Sequence, residues 1–249
     1  RFLIAYIGIW AISPKHLFAD NLKDELWLVA GGVFGGSLYF FTENTALGIT
    51  QASNVAFIIC TAPLLTTILS QLFYKSEKAT KGLIYGSLLA LIGVGLVVFN
   101  GSVVLKLSPV GDLLTLLAAL SWAFYSLVIK RMTGRYPTVF ITRKIFFYGV
   151  LTILPAFLLH PLQPDFDVLL QPLVLSNLLF LAVLASLICY ILWNVVLKQL
   201  GTMRASNYIY LNPLVTMVAS VLILHEQITW ITLMGAACII LGVYLAEKK

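Results

Sequence analysis

Charge is what this sequence has least of. Of its 249 residues only 10 % are Asp, Glu, Lys or Arg, against about 25 % in an ordinary soluble domain. That is too few to coat a water-soluble globule. Cysteine is also scarce: Cys60, Cys189 and Cys238 lie inside apolar runs, so no disulfide scaffold is indicated. Glycine (17) and proline (9) are near average, which excludes collagen-like and low-complexity chains. The alternation of apolar and polar residues that marks a membrane β-barrel is missing, since runs such as 83–99 are apolar all round. What is abundant is hydrophobicity: 60 % of residues are apolar and the mean hydropathy is +0.98. The fold class that remains is an all-α polytopic membrane protein. Its net charge of +6 records orientation in the bilayer and does not indicate a nucleic-acid partner.

A membrane-crossing helix needs about 20 mostly apolar residues. Nine stretches qualify as spans or partial spans: 1–13, 26–47, 51–73, 82–99, 111–130, 139–160, 173–197, 204–224 and 229–246. Alternating them, with the loop after residue 13 inside, sorts the basic residues. Fourteen fall inside, from Lys15 and Lys23 through Arg135, Arg143 and Lys144 to Lys248 and Lys249. Lys106 alone falls outside, apart from Arg1 at the first position. By the positive-inside rule the C-terminus is expected to be cytoplasmic, with Arg143 anchored at the inner headgroups.

The chain repeats itself. Pro63 is followed by Glu77, Gly86 and Gly93, and Pro213 by Glu226, Gly235 and Gly242. A shift of 150 also aligns Asn44 with Asn194, Leu47 with Leu197 and Leu64 with Leu214. The helices carrying the two prolines cross in opposite directions by the charge count, which predicts an inverted-topology repeat. The halves are 1–110 and 111–249. The second holds five spans and the first four, so the intact molecule is expected to have ten spans as five plus five, with the first helix of the first half missing here.

Four stretches are particularly telling: YFFTENTALGITQASNVAFIICTAPLL (39–65), YKSEKATKGLIYGSLLALIGVGLVV (74–98), LLAALSWAFYSLVIKR (116–131) and NPLVTMVASVLILHEQITWITLMGAACIILGVYL (212–245). In this order, and in two copies, they resemble the EamA family of the drug/metabolite transporter superfamily. The resemblance covers the whole chain. It implies a ten-helix secondary transporter of the bacterial inner membrane that moves small metabolites, usually outward.

Glu43 is the sharpest single signal, a carboxylate within an apolar span, where ionisable groups normally face a cavity or a partner. Gly32, Gly36, Tyr39 and Glu43 share its helical face, and Gly31 and Gly35 add to the small residues that let a neighbouring helix approach. Its functional reading is a ligand for a substrate amine or a proton-coupling group; the alternative is that it reaches headgroup water. Asn44 and Asn194 either bind substrate or tie helices together. Ser186, Tyr190 and Asn194 form a polar stripe at spacing four, Tyr208 and Asn212 share a face, and Trp122 and Tyr125 sit mid-span. Pro63 and Pro213 deprive the carbonyls of Ile59 and Ile209 of their donors, predicting paired kinks that serve either as hinges or as static packing. Glu77 and Glu226 are read as structural acids at the start of a helix.

Enzyme signatures are missing. His16, His160 and His225 have no metal-ligand spacing to other donors, no Gly-rich phosphate cradle is present, and no His–acid pair accompanies the Ser and Thr residues of the spans. No cofactor or resident metal is expected. The expected function is a proton-coupled or facilitated exporter of amino acids or drug-like compounds. Glu43 carries the proton, while Tyr39, Asn44, Trp122, Tyr125, Tyr190, Asn194, Tyr208 and Asn212 line the path. The rivals are an importer of the same fold and a passive channel or lipid scramblase. Expected partners are a small-molecule substrate, membrane lipid and a second copy docked through the glycine-bearing last helices.

Overall fold

The structure is a computed structural model that describes residues 1–12, 17–74, 78–99, 108–159, 166–224 and 229–248. Glu77, Glu226 and the three histidines lie outside the described residues. Within them the chain is helical, without strands.

In order, the elements are α1 (Phe2–Ile12), α2 (Leu22–Gly32), a π-helical turn (Val33–Ser37) and α3 (Leu38–Ile49). There follow α4 (Ala52–Ile59), α5 (Ala62–Phe73), α6 (Lys81–Phe99), α7 (Pro109–Thr133) and α8 (Thr138–Ile153). The short α9 (Ala156–Leu159) and α10 (Phe166–Leu169) precede α11 (Pro172–Leu179), a second π-helical stretch (Phe180–Ile188) and α12 (Cys189–Leu200). The chain ends with α13 (Thr202–Asn207), a 3-10 turn (Tyr208–Leu211), α14 (Asn212–Leu224) and α15 (Trp230–Glu247). Gly201, at φ 80°, takes the left-handed turn between α12 and α13 that a side chain would resist. Among the described residues, five helical stretches are long and apolar enough to cross a membrane: 52–73, 81–99, 109–133, 172–200 and 230–247. Large apolar side chains such as Val215, Leu222 and Trp230 stand exposed, as hydrocarbon contact allows and water does not.

Two compact units form, Arg1–Phe41 with Phe124–Gln199 and Thr42–Ala123 with Leu200–Lys249. In the first, the glycines on the Glu43-bearing segment do admit a neighbour. A Cβ on Gly36 would stand 2.9 Å from Gly149 Cα of α8, and one on Gly32 would strike Tyr148 Cβ. Ser37 and Thr152 join the same two elements through a 2.7 Å hydrogen bond. Arg143 is not an exposed headgroup anchor. It is only 2 % exposed, with its guanidinium 5.4 Å from the centre of the Phe140 ring. It is buried along α8 together with Ile141 and Ile145.

In the second unit α6 and α15 lie antiparallel, backbone against backbone. Gly86 meets the carbonyl of Gly242, while a Cβ on Gly93 would come 2.6 Å from the carbonyl of Gly235. The glycine faces of the two last helices are therefore spent on each other within one chain and are not an open surface for a second copy. The adjoining core consists of Cys60, Ala90, Val94, Tyr210, Ile239 and Val243. These six are three couples, Cys60 with Tyr210, Ala90 with Ile239 and Val94 with Val243, each separated by the 149 or 150 residues of the sequence repeat.

Backbone irregularity recurs at the same interval. The π turn at 33–37 maps, 150 residues on, into the π stretch Phe180–Ile188. The prolines do not kink continuous helices as the sequence suggested. The chain leaves α geometry before each one and restarts with the proline in the first turn. Before Pro63 the break is at Cys60–Thr61, where Thr61 N and Oγ1 both donate to Ile58 O at 2.9 and 2.7 Å. Before Pro213 it is the 3-10 turn, whose geometry lets Asn212 N–H donate to Ile209 O. The Ile209 carbonyl thus keeps a partner, because an i+3 donor replaces the missing i+4 one.

Candidate functional site

The first compact unit brings together three of the residues chosen from sequence. Tyr125 OH donates to Asn194 Oδ1 at 2.8 Å, and Asn194 Nδ2 donates to Thr142 Oγ1 at 2.9 Å. Tyr190 OH donates to the backbone oxygen of Gly35 at 2.7 Å, inside the π turn. The Tyr125 and Tyr190 rings lie 6.0 Å apart, with Phe146 and Phe2 against Tyr190. All three polar residues are buried, as is Ser186, so the predicted stripe along the second π-helical stretch and α12 faces the packed interior. Asn194 spends both ends of its amide on α7 and α8. Gly35 leaves the space that the Tyr125 ring fills. Tyr39, also in this unit, is half-buried, edge-on to Phe40 at 4.7 Å.

The second unit holds Glu43 and Trp122, both half-buried, and Asn44, exposed. It also holds Tyr208, 38 % exposed, and Asn212, exposed, on one face of the broken helix 202–224. Asn207 and Tyr210 point the other way and are fully buried. The repeat mates Asn44 and Asn194 are therefore unlike: one is open and the other enclosed.

Sequence reasoning passed over a charged cluster at the start of α2. Asn21 caps that helix by accepting from Asp24 N at 2.8 Å. Asp24 receives Arg135 Nη1 on both oxygens, at 2.7 and 3.0 Å, and Tyr136 OH at 3.1 Å. Glu25 pairs with Lys144 Nζ, accepts from Tyr148 OH, and takes Ala19 N at 2.7 Å. Lys144 also donates to Leu17 O at 3.0 Å, and its side chain is only 4 % exposed. Burial works against both charged carboxylates, but the bonds from Arg135, Asn21 and Tyr136 to Asp24 outweigh it. The bonds from Lys144, Tyr148 and Ala19 do the same for Glu25, so both carboxyls titrate below the usual range. They stay ionised near neutrality and fasten residues 17–25 to α8 and to the turn after α7. The available signal was two adjacent acids in a first helical turn, within a chain that has only 10 acidic residues. Lys144 and Arg135 had been read only as markers of orientation.

Comparison with known proteins agrees with this architecture. The model of the EamA-like transporter family matches residues 1–99 and 109–247. A probable amino-acid metabolite efflux pump of Salmonella typhimurium is 27 % identical over 93 % of this chain and 80 % of its own length. The uncharacterized transporter YyaM of Bacillus subtilis is 30 % identical, covering 94 % of this chain and 75 % of its own. An uncharacterized transporter of Archaeoglobus fulgidus is 26 % identical over all of this chain and 86 % of its own. A solved crystal structure superposes with a TM-score of 0.78 at 18 % identity, covering 99 % of this chain and 84 % of that one.

Proposed function

The chain belongs to the EamA-like transporter family, and from that premise we propose that it is a secondary-active exporter of small metabolites, amino acids or amphipathic drug-like compounds, across the bacterial inner membrane. The observation that carries the reading is the paired arrangement of α6 and α15. Gly86 and Gly235 are repeat mates, as are Gly93 and Gly242, and exchanging mates turns the contact Gly86–Gly242 into the contact Gly235–Gly93. Such an exchange is a two-fold rotation. Because the two mate helices run antiparallel, its axis lies across them, in the membrane plane, and not along the membrane normal. This supports an inverted-topology repeat, with 1–110 and 111–249 as its halves; the distribution of basic residues is what supports a cytoplasmic C-terminus. It is the architecture in which a site alternates between the two sides as one half rocks against the other.

In this reading Glu43, Tyr39, Asn44, Trp122, Tyr208 and Asn212 line the path. Tyr125, Tyr190 and Asn194 hold α7, α8, α12 and the π turn in register. Pro63 and Pro213 mark the breaks about which the path changes access. Glu43 carries the proton. The test is flux in proteoliposomes under an imposed proton gradient, with the Salmonella relative's printed role making amino acids the first substrates. Glu43→Gln is expected to abolish gradient-driven accumulation while leaving counterflow of labelled substrate. Unchanged gradient-driven flux would remove Glu43 from the coupling step.

A further inference from the structure

The second compact unit contains a seam of polar side chains that its own hydrogen bonds do not satisfy. It runs between α5 and the segment formed by α13 and the 3-10 turn. Ser70 and Thr202 hydroxyls meet at 3.3 Å at one end, and Cys60 and Tyr210 share a core cluster at the other. The two segments therefore run antiparallel. Thr66, one turn before Ser70, and Ser206, one turn after Thr202, lie between those contacts. Thr66 Oγ1, Ser206 Oγ and Asn207 Nδ2 are buried and make no hydrogen bond, and Tyr210 OH, buried as well, has only the Ser87 hydroxyl beside it. Ser87 Oγ, from α6, is beside them, but its proton is donated to Asn207 Oδ1 at 2.9 Å.

Each such orphaned group carries a desolvation cost of about 1–3 kcal/mol, and native proteins almost always supply a partner. The required partner is chemically defined. The amide N–H of Asn207 needs an acceptor, whereas the three hydroxyls can both donate and accept. The four seam atoms include no carboxylate to support a cation. A neutral species that donates and accepts at once fits all four atoms, and the smallest is water. We propose that this seam is a buried water site, anchored by Thr66, Ser206, Asn207 and Tyr210. It adjoins both helix breaks, Cys60–Thr61 and Tyr208–Leu211, and water there supplies exchangeable partners for backbone groups that a regular helix would have paired.

The experiment is hydroxyl-radical footprinting of the whole protein in lipid nanodiscs, read by mass spectrometry. Radicals form on bound water, so buried rings beside it are oxidised. Tyr125 is the internal control, since it is as completely buried as Tyr210 but its hydroxyl is bonded to Asn194. Tyr210 is expected to be oxidised several-fold faster than Tyr125. A second readout is thermal stability of Thr66→Val, which keeps shape and removes the hydroxyl. In a dry seam the change deletes an unsatisfied polar atom and raises Tm; in a hydrated one it deletes a water anchor and lowers Tm. Protection of Tyr210 equal to that of Tyr125, or a rise in Tm on T66V, overturns the proposal.

Discussion

The carbonyl oxygen of Gly242 occupies the place where a side chain on Gly86 would begin. The reverse also holds, with a Cβ on Gly242 falling 2.5 Å from Gly86 O. Backbone faces backbone there, and neither side offers a flexible atom that could move aside. Gly86→Ala and Gly242→Ala are each expected to lower stability by about 1–3 kcal/mol, as overpacking does. Gly48→Ala is the control, since nothing lies within 4 Å of a Cβ at that helical position. It should be neutral or stabilising by up to about 1 kcal/mol through helix propensity. Thermal melts of the detergent-solubilised protein distinguish the two classes.

The pair Glu25–Lys144 is enclosed, so breaking it from one side strands a charge. Lys144→Met is expected to cost about 3–5 kcal/mol, the usual penalty for leaving a buried ion unpaired. The double change Lys144→Met with Glu25→Gln should cost less than Lys144→Met alone, because no charge then remains uncompensated. A double-mutant cycle on denaturant midpoints measures the difference.

Stability should depend on pH in one direction only through Asp24 and Glu25. Both carboxyls are held below the ordinary range in the folded protein. Their contribution is therefore fully present above the unfolded value of about 4 and is lost as pH falls through the lowered folded value. The difference in Tm between wild type and Glu25→Gln is expected to stay constant from neutral pH downward. It should then shrink only in acid, below about pH 4. A difference that changes near neutrality would assign Glu25 a proton-exchanging role instead.

Tyr125 and Asn194 should be energetically coupled. Asn194→Leu takes away the amide oxygen to which Tyr125 OH donates, at about 1–3 kcal/mol, while the Thr142 hydroxyl keeps its 2.8 Å bond to Thr138 O. Once Tyr125 is Phe, the same change should cost less, giving a coupling of about 0.5–3 kcal/mol.

Tyr208 and Asn212 face outward, whereas Asn207 and Tyr210 face in. In a variant lacking the three native cysteines, Tyr208→Cys and Asn212→Cys are expected to react with a water-soluble maleimide, and substrate should slow the reaction. Lack of labelling at both would assign that face to lipid and remove it from the proposed path.

Much of this protein was legible in its residues because the bilayer imposes simple rules. Too little charge for a water-soluble surface and long apolar runs determine helices, since lipid leaves backbone groups no partner outside the segment. The repeat was legible because proline and glycine act locally, one by withholding a donor and the other by omitting a side chain. The tertiary structure decided which polar residues are used up and which stay open. Asn44 and Asn194 are identical by type and repeat position, yet one is exposed and the other bonded at both ends of its amide. Lys144 and Arg135 counted equally with every other basic residue as markers of orientation, until α8 and the turn after α7 brought them onto Glu25 and Asp24. Helical periodicity specifies a residue's face but not what packs against it. Partners more than 100 residues away in sequence, as Arg135 is from Asp24, are decided by which helices touch, and that follows from packing the whole chain at once.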